Sequence, residues 1–308
     1  MSALTELGER IKGVENIQRI TRTLATVAAA RLSRARRRAA GMREYAERFR
    51  GILVRQHAYV TRAGLEIARY SDLLRPREPV TNIALLVITA DRGMCGGYNL
   101  EACRLAAEFW KKNREEGRNV RFIAIGQKGI RFLTKRRAEI IHQETWRREG
   151  ISASAVERLL KMMVESYRSG AVDAVHAVYT EFHTAIRRVP RVRRILPVQL
   201  DLGGTEPDAV DASDRWHYEP AFQDVIEELV AVYLRVQLSG MLLESSASEQ
   251  GARMITMEEA TERADKALQG YRVQHNRLRR EVITTDLIGA LFASSALRGS
   301  APGIPGPR

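Results

Sequence analysis

The residues IALLVITA at 83–90 run directly into DRGMCGGYN at 91–99, and that junction decides the fold. An unbroken apolar run of strand length is the pattern of a strand buried on both faces. Gly93, Gly96 and Gly97 then mark a tight loop, and Leu100 to Glu116 reads as a helix ended by Gly117. The same alternation continues outward. VRFIAIG at 120–126 reads as a second strand, and Ile151 to Ser169 as a helix with Gly170 beyond its end. Ala174 to Phe182 and Val192 to Val198 read as further strands. Strands alternating with helices predict a small, Rossmann-like α/β domain with a mainly parallel core. It opens after Pro76 and Pro79 and closes through a loop at 201–220 rich in Gly, Asp and Pro.

Two proline-free stretches flank that domain, Met1 to Arg75 and Ala221 to Ala301. Proline ends or kinks helices, so its absence permits long ones. At about 1.5 Å per residue each stretch has the length for a helix of roughly 100 Å. Leu4, Leu7, Ile11 and Val14 follow helical spacing, and Ile17, Ile20, Leu24 and Val27 continue the stripe after one three-residue change of phase. Met254, Met257, Thr261, Ala264, Leu268, Tyr271, His275, Leu278 and Val282 keep strict heptad spacing. Both are patterns of a coiled-coil seam, or of ordinary core helices in a bundle. Residues 1–75 carry sixteen Arg and Lys against seven Asp and Glu, a balance of +9. Residues 221–297 carry eight against eleven, a balance of −3, which suits two helices lying side by side. The expected organisation is therefore an N-terminal coiled-coil helix at 1–75 and the central α/β domain at 76–220. A C-terminal coiled-coil helix at 221–297 and a disordered tail at 298–308 complete it.

The 308 residues are 44% apolar, enough for a core, and carry a net charge of +13. That excess favours acidic partners: nucleic acid, an anionic membrane face or acidic proteins. The N-terminal residues show no apolar signal core, and no run approaches the roughly 18 apolar residues of a membrane span. Cys95 and Cys103 fit neither a zinc nor a redox spacing. A bacterial cytoplasmic protein is the simplest reading.

Chemistry-bearing motifs are sparse. The 91–99 loop sits where α/β folds bind phosphates, but its glycines follow neither the dinucleotide nor the Walker pattern. A tight turn that uses positive φ is favoured, with a contact loop as its second reading. Arg31, Arg34, Arg36, Arg37 and Arg38 form a basic run without interleaved aromatics, so nucleic acid has no stacking platform there. The six histidines, at 57, 142, 176, 183, 217 and 275, show no metal-ligand spacing. His176 and His183 read as ordinary sheet residues. No catalytic residue, metal site or cofactor site is assigned.

Four patches, in order, carry a resemblance to a known family. The first is Ile11, Asn16, Ile20-Thr21-Arg22 and Val27-Ala28-Ala29-Ala30-Arg31-Leu32. The second is Val87 through Asn99, and the third Tyr218-Glu219-Pro220. The fourth runs from LLESSASEQ at 242–250 through Ala252-Arg253-Met254 to Asn276, Arg279, Ile283 and Thr284. Over roughly residues 3–297 the chain resembles the γ subunit of F-type rotary ATP synthases.

The resemblance implies an antiparallel coiled coil of the two terminal helices, turning as a central-stalk rotor inside three α and three β subunits. It implies a foot on an ε subunit and a membrane ring of c subunits. It also implies association with the membrane only through the complex, on the bacterial cytoplasmic face. ATP chemistry would reside on the β subunits, so the chain is implied to be a non-catalytic subunit of a rotary ATP synthase that transports hydrogen ions. By motif position, the implied rotor and β contacts are Ile20, Arg22, Leu24, Arg279, Arg280, Thr284 and Asp286. The implied contact loop is Asp91, Arg92, Gly93, Cys95, Gly96 and Gly97. The implied contact of the foot with the c ring is Tyr218, Glu219 and Pro220. Thr23-Leu24-Ala25-Thr26 stands where the family commonly has Ala-Met-x-Met, and Arg280 replaces a usual Gln.

Overall fold

The computed structural model describes residues 3–62, 66–146, 152–199, 219 and 221–299. Tyr218, Pro220 and the 298–308 tail beyond residue 299 lie outside the described residues. The order of elements is α1 (Ala3–Arg62), β1 (Asn82–Ile88), α2 (Tyr98–Glu115), β2 (Asn119–Ile125), α3 (Gln127–Lys135), β3 (Ile140–Glu144), α4 (Ala153–Arg168), β4 (Ala174–Phe182), β5 (Arg188–Leu196) and α5 (Phe222–Gly299). Two short 3₁₀ turns, Ile67–Arg69 and Asp72–Leu74, follow α1. Among the described residues, no helix is long and apolar enough to cross a membrane.

The chain divides into two compact units, residues 26–256 and residues 1–25 with 257–308. The larger unit is built on one five-stranded sheet in the order β3-β2-β1-β4-β5. β1 pairs in parallel with β2 and β4, and β2 with β3; β5 alone runs antiparallel, beside β4. This is the predicted mainly parallel α/β core.

Successive side chains of a strand point to opposite faces, and both faces of β1 are covered. Ile83, Leu85 and Val87 pack with Phe122, Val178, Ala102, Ala106 and Leu133, under α2 and α3. Ala84, Leu86 and Ile88 pack with Ile123, Ile125, Leu159, Met163, Leu53 and Leu234, under α4, α1 and α5. The absence of proline up to residue 75 permits helix there but does not compel it. Ile67, Leu73 and Leu74 are buried, and Ser71 accepts the Leu73 N–H as a cap. Burying those side chains in the core outweighs extending α1.

Two elements escape the sequence reading. α3 follows Gly126 and holds Gly129 near its start, and β3 alternates half-buried and exposed side chains at the sheet edge, so neither offers an apolar run. β5 begins at Arg188, four residues before the predicted start, because RVPRVRR hides its alternation under arginines. An edge strand tolerates Pro190 and such charges, which also discourage pairing with another sheet.

In the smaller unit, the beginning of α1 pairs with the later half of α5. Glu15 meets Arg272 at 2.8 Å, Gln18 donates to Asp265, and the Thr21 and Thr261 hydroxyls meet at 2.7 Å. Partners descend along α5 as they climb along α1, so the pair is antiparallel. Met257, Ala264 and Leu268 are buried and Met254, Thr261, Tyr271, His275 and Leu278 partly so, as the heptad predicts, but its last member, Val282, is 45% exposed.

The α1 stripe is corrected. Its seam runs Leu4, Leu7, Ile11, Val14, Gln18, Thr21 and Ala25 with no change of phase. Ile17 and Ile20 are 55% and 59% exposed. Hydropathy pointed to the wrong side because three successive seam positions carry Gln, Thr and Ala.

Candidate interaction surfaces

The 91–99 loop leaves the carboxyl end of β1, beside the point where the strand order reverses. That crevice is the usual ligand site of open α/β sheets. Here protein fills it. Cys95 and Tyr98 fold inward against Ala90 and Ala252, and all four are buried. Asn99 fixes the turn, accepting the Ala90 N–H at 2.8 Å and donating to Cys95 Sγ at 3.1 Å. Burial pushes the Cys95 thiol up, and burial likewise raises Cys103, to about 11, so both thiols stay protonated. The Glu101 carboxylate lies 2.6 Å from where a Cβ on Gly97 would stand, over the start of α2. A carboxylate at that position repels a phosphate, which disfavours the nucleotide reading of the loop.

The loop's frame is polar and closed on itself. Asp91 accepts the Gln127 and Trp146 N–H groups, each at 2.9 Å. The Trp146 indole donates to the Thr89 carbonyl at 2.6 Å, and the Thr89 hydroxyl accepts the Gly129 N–H at 2.8 Å. Gly126 sits at φ +93, and a Cβ there would come within 2.2 Å of the Thr89 carbonyl oxygen, so only glycine fits. On the other side, Arg253 of α5 donates to the Gly93 carbonyl at 3.3 Å and pairs with Glu249 at 2.7 Å. Burial raises the Glu249 carboxyl, with Arg253 opposing. The outward part of the loop is Arg92, Met94, Gly96 and Gly97, with Met94 66% exposed at φ +61.

The SSAS stretch of α5 also acquires a role that its residue types do not announce. Ser245 accepts the Thr180 N–H at 3.2 Å and Ser248 donates to the Thr180 carbonyl at 3.1 Å. Both serines are fully buried, and together they pin α5 to the end of β4. Arg43 of α1 meets Glu244 at 2.7 Å on the same stretch. The signal in the sequence was small polar residues at i and i+3 inside an otherwise apolar helix. Arg31, Arg34, Arg36, Arg37 and Arg38 are all exposed on α1.

The remaining candidates sit on the smaller unit, apart from Glu219, which is exposed. Ile20 and Arg22 are exposed and Leu24 is half-buried; Arg22 approaches Asp265 at 3.8 Å. From Glu281 to Phe292 every residue of α5 is exposed, including Thr284 and Asp286. Arg279 and Arg280 are exposed just before. By the register of Glu15 with Arg272, the start of α1 lies level with about residue 284. Ile283, Leu287, Ile288, Leu291 and Phe292 on this last part of α5 are 47–71% exposed. Among the described residues, no cluster of His, Cys, Asp or Glu suits a metal ion.

A mainly parallel sheet with a filled ligand crevice, and a helix pair that leaves large apolar residues exposed, define an interaction protein. The comparisons with known proteins agree. The ATP synthase family model matches residues 3–297. The ATP synthase gamma chain of Moorella thermoacetica is 34% identical over 298 residues, covering 97% of this chain and 100% of that protein. That of Chlorobaculum tepidum is 33% identical over 302 residues, with 97% and 100% covered. This chain belongs to the ATP synthase gamma chain family. Its fold matches a chain of the Euglena gracilis mitochondrial ATP synthase OSCP/F1/c-ring structure, at TM-score 0.61 and 17% identity, over 99% of this chain and 98% of that one. A chain of the Tetrahymena thermophila mitochondrial central stalk and c-ring gives TM-score 0.58 at 21% identity, over 78% and 99%.

Proposed function

We propose that this chain is the central-stalk rotor subunit of an F-type ATP synthase. It couples transmembrane ion flow to conformational change, and so to ATP synthesis or hydrolysis, at the β subunits. Its partners are three α and three β subunits, an ε subunit and the c ring. It sits peripherally at the cytoplasmic face of a bacterial plasma membrane, held there through the complex. The observation that carries the reading is the inverted helix pair. Its seam mixes apolar residues such as Leu7, Met257 and Leu268 with Gln18, Thr21 and Thr261, while Ile17, Ile20, Ile283, Leu287 and Ile288 are exposed.

Turning within a sleeve requires a surface that contacts each surrounding subunit in succession without interlocking. Each orientation then biases a bistable partner by a different set of contacts. Ile20, Arg22 and Leu24 on α1, and Arg279, Arg280, Thr284 and Asp286 on α5, are proposed to face the β subunits. Arg92, Gly96 and Gly97 form the outward part of the contact loop, with Gly93 half-buried beside them. Asp91 and Cys95 hold it from within. Tyr218, Glu219 and Pro220 are assigned to the foot, against the c ring.

The test is co-expression with α and β subunits from the same genome, followed by purification through a tag on β. The reading expects one copy of this chain per three αβ pairs, and ATP hydrolysis that depends on its presence. A complete α/β hexamer that excludes the chain would contradict it.

A further inference from the structure

β4 and β5 are joined by a turn at His183–Arg187. The turn is braced from within. The His183 and Thr184 N–H groups donate to the Arg187 carbonyl at 3.3 and 3.0 Å. The Arg187 N–H donates to the Thr184 hydroxyl at 2.9 Å, and the Arg188 guanidinium donates to the Ala185 carbonyl. It is also braced from behind. Phe182 clusters with Leu32, Ala35 and Ala247, with Ala185 packed against them. A Cβ on Gly251 of α5 would lie 3.4 Å from Ala185 Cα, so the turn rests on the helix backbone.

On this fixed support Ile186 is 84% exposed, more than any other large apolar side chain among the described residues. Turns ordinarily place Gly, Asn, Asp or Ser at such positions. Arg187 is exposed beside it, and residues 183–199 hold five arginines and no carboxylate. Arg191 pairs back to Glu181, outside that stretch. Because β4 runs parallel to β1, the turn leaves the sheet at the same carboxyl end as the 91–97 loop.

We propose that the 183–187 turn is a docking point for an acidic surface of the α/β complex proposed above. Ile186 enters an apolar notch of that surface, and Arg187 meets carboxylates on its rim. An aliphatic anchor flanked by an exposed arginine fits the anatomy of a small interface centre, in which one packed side chain supplies affinity and the charge sets orientation and rate. Nucleic acid is disfavoured, because the turn carries no aromatic platform for bases. The partner contact rests on the rotor reading, and the test separates the two.

The full chain is titrated onto the purified α/β complex, and dissociation is followed for wild type, Ile186→Leu, Ile186→Asp and Arg187→Glu. Circular dichroism checks each fold. Ile186→Asp is expected to dissociate at least tenfold faster and Ile186→Leu within twofold of wild type. Arg187→Glu is expected to dissociate several-fold faster at low salt, with the difference shrinking as salt rises. Wild-type binding with an unchanged Ile186→Asp rate would overturn the docking point and leave the rotor reading intact. No binding by wild type would overturn the rotor reading itself. Loss of binding by Ile186→Asp to anionic lipid vesicles or duplex DNA, but not to the α/β complex, would overturn the choice of an acidic protein.

Discussion

The sheet core and the helix pair put apolar residues to opposite uses. Around β1 they are hidden: Leu85, Leu86, Ile88 and Phe122 are fully buried. In the smaller unit the seam mixes Leu7, Met257 and Leu268 with a Thr–Thr contact and a Gln–Asp contact, while Ile17, Ile20, Ile283, Leu287 and Ile288 look outward. One region is complete in itself. The other leaves unburied the surface whose burial would stabilise it, which is what a part made to be surrounded requires.

The contrast is broken most readily in the core. Phe122→Ala should remove about 3–5 kcal/mol, the range for emptying a large aromatic site. Chemical denaturation followed by tryptophan fluorescence checks it, since Trp110 stands edge-on to Phe122 at 5.2 Å.

A pH titration sharpens the same point. Burial, and then Arg194 and Arg118, lower His176 to about 4 from its ordinary 6.5. The unfolded chain takes up a proton near pH 6.5 that the folded chain refuses. Stability is therefore full above that pH and falls as the pH drops towards 4, by roughly 3 kcal/mol at pH 4. His176→Leu should flatten this part of the stability profile.

The seam should respond more weakly. Thr21→Ala removes the 2.7 Å contact with the Thr261 hydroxyl, which keeps only its bond to the Met257 carbonyl, and should cost about 1 kcal/mol. Replacing both, Thr21→Val with Thr261→Val, should be near neutral or stabilising, because no polar group is stranded. A double variant worse than the sum of the singles would show that the polar seam is needed for the pair. At the outer surface, Ile20→Ala and Leu287→Ala should change the melting of the free chain by less than about 0.5 kcal/mol, as for exposed sites in general.

The same contrast explains what could be read from the sequence. β1, β2 and β4 announce themselves because burial on both faces demands continuous apolar runs. The α5 heptad announces itself through Met257, Leu268 and Leu278. On α1 the rule misleads, because Ile17 and Ile20 obey helical spacing while facing away from the seam. Hydropathy registers that a face will be covered, without saying by which molecule. The loop could be placed from its glycines, but its frame could not. Thr89, Asp91 and Trp146 meet only through the fold, and Trp146 is 55 residues from its Asp91 partner. Ser245 and Ser248 likewise look like neutral helix residues until β4 is laid beside them.

The most direct test of the central claim is amide hydrogen exchange on the free chain and on the assembled complex. Residues 17–27 and 283–292 should slow at least tenfold on assembly, while residues 83–88 of β1 exchange slowly and alike in both states. Equal exchange at 17–27 and 283–292 in the two states would contradict the claim that the outward apolar surface of the helix pair is built to be covered.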